Sequence, residues 1–346
     1  MKKLVSLFLC LVMVFALAAC GKQETPSTPD GNNNTDGEKK PTYVIQYSHV
    51  QSEITPTHRA MLWLKDYLEE QTDGDMTMEI YPAGQLYNDS TEVDAIIAGN
   101  IDMTSTNIPK LTSLDPDLEY AVAPYLFDNT RQMLAFYNSD ACAPVFTKLN
   151  DVGITVLGGY YNGYHLYFST KKVIDTPESW KGLNCRDSGG NMVKDMYKAT
   201  GTSMVSISYG DLYTGMDSGM ADMVNTSIDG VTGIALQDIL SYGIDLDQQQ
   251  CVYLVQVNTN FFNSLPTEYQ EILREGVHKA AEYEFEICES ERDTEIAKIE
   301  AAGCTVVNAT EEQKDAFKAV WQPVVDLYIT DTWKNTVAEF KANYKG

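Results

Sequence analysis

Apolar and polar positions divide the chain into three zones. Residues 4–17 are almost unbroken apolar, after a basic Lys2-Lys3 start. Residues 21–41 then carry Pro26, Pro29, Gly31, three consecutive Asn and Gly37 with almost no apolar side chains. Beyond that, apolar positions recur with regular periods. Residues 43–47 read as a buried strand. Thr55 is placed to cap a helix with Pro56 at its first position, and Met61, Leu64 and Leu68 line one face of it. After an Asp73-Gly74 turn, residues 76–80 alternate with period two, and Pro82 and Gly84 break the strand. Asp89 or Ser90 is expected to cap a second helix carrying Val93, Ile96 and Ile97, with a strand starting at Ile101. Strand–helix–strand–helix–strand implies parallel pairing with right-handed crossovers, and ligands at the carboxyl ends of the strands.

The second half repeats the theme. Residues 156–168 read as extended chain around Asn162-Gly163. Residues 191–200 read as a helix, 203–207 as a strand, 209–219 as a helix and 222–224 as the start of another strand. Pro266 then opens a stretch whose apolar face runs through Tyr269, Leu273, Val277, Ala280, Tyr283 and Ile287, and Gly303 stops it. At 1.5 Å per residue this helix would be on the order of 50 Å long, too long for one small lobe. A chain of this length suits two lobes better than one core.

The first zone is too short for a comfortable membrane span of ~20 residues and ends in Leu17-Ala18-Ala19-Cys20. That pattern predicts a secretory leader, 1–20, and resembles the lipobox of bacterial lipoproteins, in which the Cys, here Cys20, carries a diacylglyceryl group. The second zone buries too little apolar surface to offset chain entropy and is expected to be a disordered tether, 21–41. Its 30–34 run is no calcium loop, because Thr35 stands where that loop needs Gly.

Charge and cysteines narrow the function. The formal net charge is −24, and loss of the leader's Lys2 and Lys3 takes it to −26. Nucleic acid and anionic membrane surfaces are therefore not expected partners. A small anionic ligand is still compatible, since one Arg in a dry cleft outweighs distant, screened surface charge. Beyond Cys20, the five cysteines Cys142, Cys185, Cys251, Cys288 and Cys304 show no paired spacing and are expected to be mostly buried thiols. No GxSxG, HExxH, P-loop, GxGxxG or spaced Cys/His set occurs, and only four histidines are present. Neither an enzyme, a cofactor nor a metal is called for.

Several segments in order resemble the solute-binding component of tripartite ATP-independent periplasmic (TRAP) transporters, the dicarboxylate-receptor or DctP type. They are Thr57-His58; Tyr81-Pro82-Ala83-Gly84-Gln85-Leu86; Ala98-Gly99-Asn100-Ile101-Asp102; Ala123-Pro124-Tyr125-Leu126-Phe127; Trp180-Lys181-Gly182-Leu183-Asn184-Cys185-Arg186; the run from Asp211 to Asp222; and Leu265-Pro266. The resemblance covers nearly all of the chain beyond the tether. It implies an α/β, two-lobe, periplasmic-binding-protein-like (Venus flytrap) fold with a long helix spanning both lobes. Lobe I is expected over 42–162 plus 251–288, and lobe II over 163–250 plus 289–346.

The resemblance further implies that Arg186 grips a ligand carboxylate, chemistry that suits a planar guanidinium with paired donors. In the family's N-G-x-R segment this chain reads Asn162-Gly163-Tyr164-His165, with His165 in place of the second Arg. After Asp222, Asn225 or Thr226 is the candidate polar contact. Tyr213 matches a family tyrosine, while Tyr209 and Tyr164 belong to an aromatic cluster around the proposed cleft. Asp187 would either tune Arg186 or cap the following helix. The expected activity is extracytoplasmic capture of a small organic anion, a carboxylate, by a lipid-anchored monomer that passes it to TRAP membrane subunits. Alternatives are a receptor for an ATP-driven importer or sensor, a secreted enzyme acting on an organic acid, and a structural lipoprotein.

Overall fold

The computed structural model describes residues 40–247 and 252–345. The leader, Cys20, most of the tether and Cys251 lie outside the described residues. Alternating apolar residues build β1 (Tyr43–Ser48), β2 (Met76–Tyr81) and β3 (Met103–Asn107), linked by α1 (Pro56–Gln71) and α2 (Glu92–Ile97). As the sequence predicts, β1 pairs in parallel with both β2 and β3. Thr55 caps α1, its side chain accepting from the His58 N–H, with Pro56 in the first turn. The cap of α2 differs from expectation. Thr91 occupies that position with no side-chain bond, and Asp89 is drawn away to charged groups described below.

After α3 (Thr130–Tyr137) and α4 (Thr147–Asp151), strand β4 (Ile154–Tyr160) completes the first sheet with a later strand. The extended run 156–168 is broken at Asn162-Gly163, where both residues adopt positive φ. There the chain leaves the first sheet and enters the second as β5 (His165–Ser169). Gly163 has φ +79°, and a Cβ on it would lie 2.3 Å from Asp229 Oδ2 and 3.2 Å from Ser227 Cβ. Gly163→Ala therefore combines a left-handed backbone with a clash, and is expected to destabilise by about 1–3 kcal/mol. A urea melt showing no loss would refute this.

The second sheet adds β6 (Asn184–Arg186), α5 (Asn191–Ala199), β7 (Ser203–Val205), α6 (Leu212–Asp217), β8 (Met223–Ser227), α7 (Ile228–Gly233) and β9 (Tyr242–Asp245). The predicted 209–219 helix is shorter: a 3₁₀ turn, Tyr209–Asp211, leads into α6, which ends at Asp217. Then β10 (Tyr253–Asn258) returns to the first sheet between β3 and β4, antiparallel to both. The sheet orders are β2-β1-β3-β10-β4 and, with β11 (Thr305–Asn308), β11-β9-β5-β8-β6-β7.

Following α8 (Thr259–Ser264), the long helix appears as α9 (Thr267–Ala301), 35 residues and about 50 Å. It packs on α1 and β4 toward its start and on α7 and β11 toward its end, so it runs along both sheets. Leu273, Val277 and Ala280 join the core of the first sheet with Leu64 and Leu68, while Ile299 joins that of the second. The apolar face is interrupted by Glu284, which is fully buried. Its carboxylate accepts from Thr57 Oγ1 at 2.6 Å and from the Tyr161 N–H at 2.9 Å.

Two helices close the chain, α10 (Glu311–Val325) and α11 (Asp331–Asn343). Helix α10 covers the second sheet's side, where Phe317 and Trp321 meet Trp180. Helix α11 corrects the expectation that 289–346 belongs wholly to lobe II. Its Trp333 packs on Tyr120, Phe136 and Phe146, aromatic residues of the first lobe, which offer it a larger apolar surface. Cys142, Cys185, Cys288 and Cys304 are free and buried.

Candidate functional site

Contacts between the two halves gather where the carboxyl ends of parallel strands approach one another. Arg186 is the last residue of β6 and is only 4 % exposed. Its Nε–H donates to the Ile207 carbonyl, just beyond β7, at 3.0 Å. Its Nη2 lies 3.6 Å from Oδ2 of Asp89, in the loop after β2 on the other half. That is ion-pair distance rather than a hydrogen bond. Lys110, in the 3₁₀ turn after β3, places Nζ 3.3 Å from the same Asp89 oxygen. Asn107 Nδ2–H, at the end of β3, donates across the halves to Ser188 Oγ at 2.9 Å.

Several polar atoms here are buried without a hydrogen-bond partner among the described residues. They include Asp89 Oδ1, Asn107 Oδ1 and His49 Nδ1. Unpaired buried acceptors are costly, so a cluster of them marks where a ligand or water completes the structure.

His165 begins β5. Its Nδ1 lies 3.3 Å from Asn225 Oδ1 and its Nε2 lies 3.3 Å from Asn162 Nδ2. An amide oxygen on one side and an amide N–H₂ on the other select the neutral tautomer protonated at Nδ1. Burial, reinforced by the Arg186 charge, lowers the His165 pKa to about 4. His165 is therefore a neutral polar link at neutral pH, not a second cation. Asn225 is buried on β8, held also through Nδ2 to the Leu166 carbonyl at 3.5 Å. Thr226 is buried beside it, its Oγ1 close to Gly230.

The tyrosines divide. Tyr209 is buried within the field of Arg186 and donates its hydroxyl to the Gly230 carbonyl at 2.9 Å. Tyr213 is half-buried and packs against the second half's apolar core. Tyr164 donates to Glu289 and lies under the Arg292 guanidinium, 4.7 Å from its ring centroid. It faces α9 rather than Arg186. Two cavities, about 530 Å³ and 500 Å³, do not have Arg186 in their lining. The first includes Arg59, Asp229, Glu291 and Glu295; the second includes Tyr164, His165, Asp245 and Arg292.

Asp187 neither caps the next helix nor pairs with Arg186. It takes the Tyr197 hydroxyl and the Ser188 N–H, on the opposite face of β6. The first turn of α5 is capped instead by Glu119, whose carboxylate accepts from the Asn191 and Met192 N–H groups at 2.7 and 3.0 Å. Beside Lys110, Glu92 is buried and accepts from Thr104 Oγ1 at 3.3 Å. Burial lifts its pKa to about 8. Asp89, Lys110, Asn107 and Glu92 are site residues that sequence reasoning passed over. The available signal was position: Asn107 and Lys110 sit on or just beyond the carboxyl end of parallel strand β3, and Asp89 and Glu92 lie in the connection from β2 into α2. Among the described residues, no cluster of three His, Cys, Asp or Glu could hold a metal ion, and no helix is long and apolar enough to cross a membrane.

Comparison with known proteins agrees with this architecture. Residues 47–331 match the model of the bacterial extracellular solute-binding proteins, family 7. The C4-dicarboxylate-binding periplasmic protein DctP of Rhodobacter capsulatus is 24 % identical over 86 % of this chain and 90 % of its own length. Among solved structures, a TRAP periplasmic solute-binding protein from Sulfurospirillum deleyianum with bound succinate superposes with a TM-score of 0.79 at 21 % identity, covering 88 % of this chain and 100 % of that one. Another, from Anaerococcus prevotii with bound α/β-D-glucuronate, gives 0.81 at 19 % identity, with 88 % and 100 % covered.

Proposed function

Because this chain belongs to the bacterial extracellular solute-binding proteins of family 7, we propose that it captures a small organic acid on Arg186 and delivers it to the membrane subunits of a TRAP transporter. The observation that carries this reading is the buried guanidinium of Arg186 at the end of β6, facing Asp89 in a loop of the opposite half. A guanidinium offers a carboxylate two parallel, charge-assisted hydrogen bonds, each contributing roughly 1.5–3 kcal/mol. Polar groups of both halves meet at this place, so an acid held there favours the closed arrangement over an open one. Asn225, Thr226 and Tyr209 support the second half's wall, and His165 orients Asn225 as a neutral partner. The receptor acts as a monomer outside the cytoplasm, held at the membrane by a lipid on Cys20. Two acyl chains are enough for firm anchoring. Its family is one of receptors, and the reading needs no catalytic step.

The test is a thermal-shift screen of the purified soluble part against organic acids. A specific acid is expected to raise the melting temperature with concentration as a single site saturates. No shift with any acid, joined to turnover of one of them, would overturn the receptor reading.

A further inference from the structure

Resting on the receptor reading, we propose that Asp89 makes this site selective for hydroxylated monocarboxylates over dicarboxylates. Two observations carry it independently of the relatives.

The first is local charge. Arg186 and Lys110 both meet Asp89 Oδ2, at 3.6 and 3.3 Å. Two cations and one anion leave a net charge of about +1 at this place. His165 adds none, being hydrogen-bonded as the neutral tautomer between Asn162 and Asn225. One ligand carboxylate balances that charge. A second would leave an uncompensated anion among buried groups, beside Asp89. An unpaired ion there costs several kcal/mol. Asp187, the residue after β6, is turned away to the Tyr197 hydroxyl and the Ser188 N–H and lies outside this set.

The second is hydrogen-bonding capacity. Asp89 Oδ1 and Asn107 Oδ1 are buried and unpaired, and both can only accept. An ionised dicarboxylate without hydroxyls, such as succinate, has no donor for them. Hydroxyl groups beside a single carboxylate would donate to both while the carboxylate takes Arg186. An ammonium group would supply donors too, but next to Arg186 and Lys110 it meets repulsion that a hydroxyl avoids.

Titration calorimetry with D-glucuronate, D-gluconate, succinate and L-malate tests this. L-malate separates the effect of the second charge from that of the hydroxyl. The native chain is expected to bind at least one of the two sugar acids 100-fold or more tighter than succinate or L-malate. Asp89→Asn keeps an acceptor but removes the charge, and is expected to tighten succinate and L-malate at least tenfold while changing the sugar acid less. Native protein that binds a dicarboxylate as tightly as either sugar acid sinks the selectivity claim and leaves the receptor reading standing. So does an unchanged selectivity ratio in a folded Asp89→Asn. Binding of none of the four acids counts against this proposal. If no organic acid in the thermal-shift screen is bound either, and one of them is turned over, the receptor reading falls with it.

Discussion

Arg186→Ala will weaken binding of the acid found by the thermal-shift screen by roughly 100- to 10,000-fold. Two charge-assisted hydrogen bonds lost at roughly 1.5–3 kcal/mol each set that range, with each 1.4 kcal/mol worth about tenfold. The fold should survive. Asp89 retains Lys110 at 3.3 Å, so no carboxylate is left without a cation, and the principal loss is the bond to the Ile207 carbonyl. Arg186→Lys should recover part of the affinity, because an ammonium supplies charge without the planar fork. Calorimetry on both variants, with circular dichroism melts to establish folding, checks this. Affinity that stays within a few-fold of the native value in a folded Arg186→Ala would remove this residue from the site.

Raising the pH from 6.5 to 8.5 will destabilise the receptor by roughly 2–4 kcal/mol. Burial is the leading cause that lifts three carboxyl groups: Glu92 to about 8, and Glu284 and Asp229 each to about 7. The folded chain therefore holds protons that the unfolded chain has already released. The sign follows: stability is full below the unfolded carboxyl range and is lost as pH rises through about 7 to 8. The histidines work the other way. His49 is lowered to about 3 and His165 to about 4, chiefly by burial. Their contribution is present above the ordinary histidine range and lost as pH falls below about 6.5 toward those values.

Over the alkaline limb, the melting temperature should fall by about 4–8 °C. Glu92→Gln should flatten that limb more than Glu284→Gln, because the group with the higher pKa has more to lose. In Glu284→Gln the amide oxygen can still take the Tyr161 N–H while the Thr57 hydroxyl turns to accept from the amide. A melting temperature that does not change, or rises, from pH 6.5 to 8.5 would contradict the assignment of these buried acids.

The pH profile and the charge set around Asp89 share an origin. This molecule places carboxyl groups in its interior at the seam between halves, where ordinary patterning leads one to expect apolar residues. Asp229 shows the consequence for backbone. Its Oδ2 occupies the space that a side chain on residue 163 would need, which ties Gly163 to the seam as firmly as any packing contact.

Local signals were legible wherever local physics decides. Thr55 and Pro56 start α1 because a hydroxyl acceptor and a preset φ satisfy a helix N-terminus in any context. The β–α–β–α–β order fixed parallel pairing of β1 with β2 and β3 because short crossovers allow little else. Helix α9 was bounded by Pro266 and Gly303, and its length alone required it to pass along both halves. The family resemblance singled out Arg186; the structure adds that it stands at the carboxyl end of β6, a strand the sequence reading did not name.

What chain order could not convey is which distant groups meet. Asp89 looked like a helix cap, because Asp is a good cap and nothing nearby competes for it. Only folding brings Arg186 and Lys110 to its carboxylate, and those charges outweigh a cap worth about 1 kcal/mol. Glu284 sat on a face read as apolar, and its partners Thr57 and the Tyr161 amide arrive from elsewhere in the chain. Tyr164 belonged to an aromatic cluster by composition, but Glu289 and Arg292 on α9 turn it from Arg186. The amino-acid order by itself thus determined the first strands and helices, the parallel pairing of β1 with β2 and β3 and the long helix, since these depend on neighbours within a few residues. The tertiary structure alone decided the charge balance around the Arg186 guanidinium, because electrostatic energy in a buried seam is set by distance in space, which sequence separation does not report.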